Sequence, residues 1–259
     1  MVFTHLEGNS GCSIYRVNDT VEKVSKDTDY NNRLYLSYLK MNDQRRDIFK
    51  VPLGLSYRDD VPLHVLCADY IRGFPMALSI ENMTIGEAKD FAFKVLDFVF
   101  DNMDGGQCIV DTQTLNIKIK SCQSTMLLSD EFSYNIPSGY CHGDFTLSNM
   151  IDSGSDIYLI DHLDSYIESP LMDLVKLYQD LDFYWSLRYI DQKYITNNFY
   201  VNMNVIRNNI DHCLVSNSYT RVMDYLKYVN YVRILPYLQG GDWCRVYEFC
   251  NGCYGSHII

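Results

Sequence analysis

Hydrophobic and polar positions change rhythm along this chain. Short alternating stretches come first, and from residue 84 onward apolar residues recur at intervals of three and four. Alternation puts every second side chain on one face of a strand, whereas the longer interval lays a stripe along a helix. Cys12 to Val17 and Val21 to Ser25 read as two strands joined by Asn18-Asp19, residues that favour turns because their side chains bond nearby backbone. Leu34, Tyr38 and Met41 fall at helical spacing and predict a helix from about Tyr30 to Asn42. Beyond Pro52, Val61 to Tyr70 reads as a strand ending near Arg72-Gly73.

Thr84-Ile85-Gly86-Glu87 has the form of a capping box, which satisfies free N–H groups at a helix start. The helix it predicts carries Ala88, Phe91, Val95, Phe98 and Val99 as one stripe and stops near Asp104-Gly105-Gly106. Pro137-Ser138-Gly139 reads as a turn before a polar segment at 141–149, and Ile157 to Ile160 as a compact strand with Asp161 at its end. Helices follow, with Leu171, Leu174, Val175 and Tyr178 on one face and a second run from Arg221 to Leu235 closed by Pro236. Strands first and helices second fit an α+β protein of two lobes. The expected boundary gives residues 1–73 to a small β-rich N-lobe and 74–259 to a larger helical C-lobe.

Composition narrows the class. Of 259 residues, 47% are hydrophobic, enough for a sizeable core. The richest apolar run, Phe91 to Phe100, is interrupted by Lys94 and Asp97, far short of a membrane span of roughly 18 residues. The opening residues lack the basic start and apolar run of a secretory signal, so a cytoplasmic protein is expected. A net charge of −11 argues against a nucleic-acid partner, whose phosphates need lysine and arginine. Residues 141–259 carry 14 acidic and 8 basic side chains, a balance that suits a cationic ligand or simply keeps the protein soluble.

Nine cysteines, scattered mostly singly, suggest free thiols in a reducing compartment. Cys244, Cys250, Cys253 and His257 form one cluster, but a single Cys-x-x-Cys is a weak zinc signal beside ordinary cysteines.

The sharpest signal is Cys141-His142-Gly143-Asp144-Phe145-Thr146-Leu147-Ser148-Asn149, with Asp161 following twelve residues after Asn149. Phosphoryl transfer rests on positioning and charge neutralisation. Mg²⁺ takes hard oxygen ligands, usually one or two from carboxylates, with phosphate oxygens and water. A separate carboxylate must orient the attacking hydroxyl and accept its proton. Asp144, Asn149 and Asp161 supply that set.

His142-Gly143-Asp144-x-x-x-x-Asn149, then an apolar strand ending in Asp161, resembles the aminoglycoside phosphotransferase and choline kinase family, which has a bilobal protein-kinase-like fold. The resemblance implies ATP and Mg²⁺ as cofactors, Asp144 as catalytic base, and Asn149 and Asp161 as metal ligands. It gives His142 the holding of the catalytic loop. In the N-lobe it implies a phosphate-covering loop at Gly8, Asn9, Ser10 and Gly11 and a strand-borne lysine at Lys23, with Lys26 as the fallback. Asp69, Tyr70 and Ile71 become the lobe-joining segment that contacts adenine. Asp173 becomes the residue that bonds the catalytic-loop backbone, with a plain first-turn aspartate as the alternative.

Departures are visible too. The glycine loop has two glycines, the early helix offers no glutamate for Lys23, and Asp161 is followed by His162-Leu163. The loop reads His-Gly-Asp rather than the His-Arg-Asp of protein kinases, and no Ala-Pro-Glu follows, which disfavours a protein substrate. The family implies a small polar hydroxyl acceptor: an aminoglycoside, an amino alcohol such as choline, or a sugar or surface-glycan precursor. A nucleotide-binding pseudokinase scaffold, favoured by the missing partner of Lys23, and a metal-dependent hydrolase are the alternatives.

Overall fold

The computed structural model describes residues 3–6, 12–43, 48–60 and 63–254. The chain divides into two compact units. The first holds residues up to Ser79 together with His142–Asp164, and the second holds Ile80–Cys141 together with the chain from Ser165 onward.

An antiparallel sheet of five strands forms the frame of the first unit: β1 (Phe3–Leu6), β2 (Ser13–Val17), β3 (Thr20–Ser25), β4 (Ser56–Asp60) and β5 (Leu63–Asp69), in spatial order β1-β2-β3-β5-β4. The β2–β3 turn falls at Asn18-Asp19, as the sequence predicts, with Asn18 at the positive φ of 58° that asparagine tolerates. Helix α1 (Thr28–Asp43) lies between β3 and β4 and packs on β3, β4 and β5. Asp27 opens it by accepting the N–H of Tyr30 at 3.1 Å. Asn31, Leu34 and Tyr38 form its buried stripe. Asn31 Nδ2 donates to the carbonyls of Lys23 (3.2 Å) and His64 (2.7 Å), fastening the helix to β3 and β5.

A smaller sheet completes this unit, with β6 (Phe74–Pro75), β9 (Met150–Asp152) and β10 (Ile157–Leu159) in the order β10-β9-β6. Lys50 bridges onto β10: its N–H donates to Ile157 (2.9 Å) and its carbonyl accepts from Leu159 (2.8 Å). The neighbouring Phe49 ring meets Phe145 edge-on at 5.5 Å. That buried aromatic pair anchors the segment between His142 and β9 through Phe145.

Helix α2 (Met76–Asn82) carries the chain into the second unit, which adds α3 (Ile85–Asp101), β7 (Met103–Asp111), α4 (Thr112–Ser121), β8 (Ser133–Gly139), α5 (Leu171–Phe183), α6 (Asn197–Ser216), α7 (Thr220–Ile234) and α8 (Gly240–Tyr254). The capping box is formed: Glu87 N–H donates to Thr84 Oγ1 (3.2 Å) while Glu87 Oε2 accepts the Thr84 N–H (2.8 Å). α3 packs on α6, and α5 on α7. No helix among the described residues is long and apolar enough to cross a membrane.

α3 stops at Asp101, just before Asp104-Gly105-Gly106, as expected, and that segment is the irregular start of β7. The turn expected at 137–139 is corrected. Pro137-Ser138-Gly139 belongs to β8, with Pro137 opposite Gln107. A two-stranded ladder tolerates proline because each strand has an outer edge that needs no N–H. Gly139 is required for a different reason: a Cβ there would stand 2.0 Å from the carbonyl oxygen of Asn102.

Candidate active site

The polar segment after Gly139 begins with His142, which is fully buried. Its Nδ1 accepts the N–H of Asp144 at 3.2 Å, so the ring proton sits on Nε2 and points to the Ile160 carbonyl at 2.9 Å. Both nitrogens are therefore engaged in holding backbone. The His142 carbonyl accepts from Leu163 N–H at 2.8 Å, closing the loop against the segment beyond Asp161.

Between these contacts lies Gly143, at φ +79°. A Cβ at this position would stand 2.0 Å from the Leu163 carbonyl oxygen. The close approach and the left-handed backbone together explain why the motif reads His-Gly-Asp: no side chain fits.

Asp144 and Asn149 are joined by the asparagine amide. Asn149 Nδ2 donates to the main-chain oxygen of Asp144 (2.8 Å) and to its carboxylate Oδ2 (2.9 Å). With the NH₂ group committed, Oδ1 is the atom that remains for a cation. A 3₁₀ turn at Leu147–Asn149 sets this reach, and the Asn149 carbonyl accepts from Ile160 N–H at 3.0 Å. That bond brings the residue before Asp161 alongside Asn149.

Asp161 takes φ +57°, a conformation aspartate adopts more readily than most residues. Its Oδ1 lies 3.1 Å from Lys23 Nζ. Lys23 projects from β3, is 3% exposed, and lies 3.3 Å from the Tyr30 hydroxyl. Burial pulls the Lys23 pKa down, but the Asp161 carboxylate, with Tyr30 behind it, outweighs burial and holds the ammonium above its ordinary value. Lys26, the fallback, is exposed beyond β3. In place of a glutamate, Lys23 is partnered by a tyrosine hydroxyl and by Asp161 itself.

His162 packs at a tilt between two rings, 4.1 Å from His142 and 4.4 Å from Tyr38. It occupies a fully buried aromatic slot, and burial drives its pKa well below the usual histidine value, with His142 adding to the effect. The sequence signalled none of this, because a histidine beside an aspartate carries no marker of burial.

Other expected site residues are placed as follows. Asp69 N–H donates to Leu53 (2.8 Å) and Tyr70 N–H to Asp19 (2.8 Å), so those two amides are already used within the unit, ahead of Ile71. The Tyr70 ring carries the Arg16 guanidinium at 3.9 Å. Gly8, Asn9, Ser10 and Gly11 lie outside the described residues. Asp173 is fully buried in the first turn of α5, in the second unit, where its charge adds to burial in pushing the Cys141 thiol up. On α8, Cys244 is exposed and Cys250 buried, while the Cys253 side chain and His257 lie outside the described residues. Among the described residues, no group of three or more His, Cys, Asp or Glu is arranged to hold a metal.

No protein-family model matches the sequence, and no curated protein does. Solved structures match in fold. APH(2")-IIa, solved with streptomycin and ATP, aligns over 90% of this chain and 85% of its own at 16% identity, with a TM-score of 0.57. Aminoglycoside 2'-phosphotransferase-IIIa, solved with GDP, aligns over 99% and 93% at 10% identity and 0.55. A Haemophilus somnus protein designated a fructosamine-3-kinase aligns over 97% and 90% at 10% identity and 0.56. The chain therefore has the protein-kinase-like fold, in the α+β form seen in these small-molecule kinases.

Proposed function

We propose that this protein is an ATP- and Mg²⁺-dependent phosphotransferase acting on a hydroxyl of a small polar molecule. The observation that carries the reading is the meeting, within one compact unit, of two side-chain pairs, Asp144 with Asn149 and Lys23 with Asp161, linked by the backbone bond from Ile160 N–H to the Asn149 carbonyl. These residues meet through a fold shared with kinases of aminoglycosides and fructosamine, as those proteins are described.

The donor set fits Mg²⁺. Asn149 Oδ1 and the Asp161 carboxylate are hard oxygens, and this cation needs only one or two protein carboxylates when phosphates supply the rest. When bound, the cation neutralises charge developing on the phosphate oxygens. Lys23, kept cationic by Asp161, is the fixed positive charge for the nucleotide phosphates. Asp144 orients the acceptor hydroxyl and takes its proton, and Asn149 holds that carboxylate by its Nδ2–H. His142, with both nitrogens bound to backbone, shapes the loop and moves no proton.

Gly8, Asn9, Ser10 and Gly11 would cover the phosphates, and the backbone near Asp69, Tyr70 and Ile71 would meet adenine. The site belongs to a cytoplasmic enzyme in this reading, and the acidic balance of residues 141–259 favours a cationic acceptor.

The scaffold alternative drew its support from an unpartnered Lys23, and the contacts of Lys23 with Asp161 and Tyr30 remove that ground. The test is a phosphoryl-transfer screen against pooled aminoglycosides, amino alcohols and sugars, with ATP and GTP in separate arms and Asp144→Ala as control. Turnover that needs Mg²⁺ and disappears in the variant supports the proposal. Nucleotide binding with no transfer to any pool favours the scaffold.

A further inference from the structure

We infer that helix α1 positions both charged halves of this site through two tyrosine hydroxyls, Tyr30 on Lys23 and Tyr38 on the main chain of Asp161. The inference rests on the phosphotransferase reading above and assigns a task that reading leaves open, namely what holds Lys23 and Asp161 in register when α1 contains no glutamate.

Three contacts carry it. The Tyr38 hydroxyl accepts the Asp161 N–H at 2.7 Å. The carbonyl of that same peptide group, on Ile160, accepts from His142 Nε2 at 2.9 Å. One peptide plane is therefore gripped at both ends, by α1 and by the catalytic loop, immediately before the left-handed turn at Asp161. Such a backbone conformation persists where its surroundings over-determine it, and fixing the plane fixes the direction in which the Asp161 carboxylate leaves the chain. The second contact is the Tyr30 hydroxyl at 3.3 Å from Lys23 Nζ. The third is Asn31, whose Nδ2 holds the Lys23 carbonyl at 3.2 Å, so the same helix turn grips the lysine at its backbone and at its tip.

Tyr30, Leu34 and Tyr38 stand four residues apart, which puts them on one stripe of a helix. Leu34 is fully buried in the middle of that stripe, and Asp27 caps the turn that carries Tyr30. A rigid helix thus spans from the lysine to the cation-binding aspartate. A carboxylate in place of Tyr30 would compete with Asp161 for the ammonium, whereas a neutral hydroxyl lets Lys23 and Asp161 stay paired at 3.1 Å. Tyr30 and Tyr38 are positioning residues in this account: neither needs to touch nucleotide.

Tyr38→Phe keeps the ring that packs 4.4 Å from His162 and removes only the oxygen; Tyr30→Phe does the same for the ring beside Lys23. The readouts are amide exchange at Asp161, thermal unfolding, and calorimetric binding of ATP with and without Mg²⁺. Tyr38→Phe is expected to speed Asp161 amide exchange and to weaken Mg²⁺-ATP binding about tenfold, the scale of one lost hydrogen bond, with metal-free ATP binding at parent level. Tyr30→Phe is expected to weaken ATP binding about equally with and without Mg²⁺. A Tyr38→Phe protein that melts earlier but binds Mg²⁺-ATP like the parent overturns the inference and leaves the phosphotransferase reading standing. A parent that binds no Mg²⁺-ATP overturns both.

Discussion

Asn149 uses one NH₂ group to hold Asp144 twice, at the main-chain oxygen (2.8 Å) and at the carboxylate (2.9 Å). The same amide leaves its oxygen for a cation, so one short side chain ties the proposed base to the proposed metal. Asn149→Asp keeps an oxygen ligand but sets a second carboxylate against Asp144. Like charges at that distance raise one carboxyl pKa, because both cannot ionise cheaply. The expected outcome is a kcat/KM profile whose acid limb moves to higher pH, with kcat reduced about 100-fold at neutral pH. An unshifted limb would mean that Asn149 and Asp144 do not communicate during turnover.

Asp144 and Asp161 should separate by phenotype. Asp144→Asn retains the size of the side chain and removes the proposed proton acceptor, so turnover should fall by about 10²–10⁴-fold with ATP affinity nearly unchanged. Asp161→Ala removes the proposed cation ligand and the partner of Lys23 together. It should weaken Mg²⁺-ATP binding, measured by calorimetry. If Asp161→Ala binds Mg²⁺-ATP like the parent, the assignment of roles is wrong.

The motif from His142 to Asn149 was readable because its spacing is local, and the strand before Asp161 because its apolar run is compact. The Thr84–Glu87 box was readable for the same reason, since all its partners lie within one turn. Tyr38 was legible only as a core residue of α1. Its hydroxyl meets Asp161 across 123 residues of chain, and no periodicity reports such a contact. Gly143 looked like a departure from the protein-kinase pattern, and only the carbonyl of Leu163 reveals why a side chain is excluded. Pro137 misled in the other direction, because a proline signals a turn by its own chemistry while its tolerance in β8 depends on a strand distant in sequence.

Away from the site, Asn202 of α6 is fully buried and its Nδ2 donates to the carbonyls of Ile80 and Met83, each at 2.8 Å. These carbonyls lie at the end of α2, where helical partners run out. Asn202→Leu fills a similar space but removes the shorter donor from each carbonyl, leaving Ile80 with the Met83 N–H (3.3 Å) and Met83 with Asn198 Nδ2 (3.2 Å). A loss of about 1–3 kcal/mol in unfolding free energy is expected, read by denaturant titration. A parent-like midpoint with an unchanged slope would show that the Met83 N–H and Asn198 Nδ2 satisfy those carbonyls without Asn202.

Gly143→Ala is the most direct test of how the catalytic loop is built. Alanine at φ +79° costs about 1–2 kcal/mol from backbone conformation alone. The added methyl would also start 2.0 Å from the Leu163 oxygen, so the segment from Asp161 to Leu163 must move or the loop must open. Moving it pulls on the Leu163–His142 bond of 2.8 Å and on the peptide that presents Asp161. Stability should therefore drop by at least about 2 kcal/mol, with Mg²⁺-ATP affinity falling in the same variant. Gly143→Arg, which restores the protein-kinase triplet, should behave worse than alanine because its longer side chain starts from the same blocked Cβ. A stable, nucleotide-binding Gly143→Arg protein would show that the loop does not approach Leu163 as closely as described.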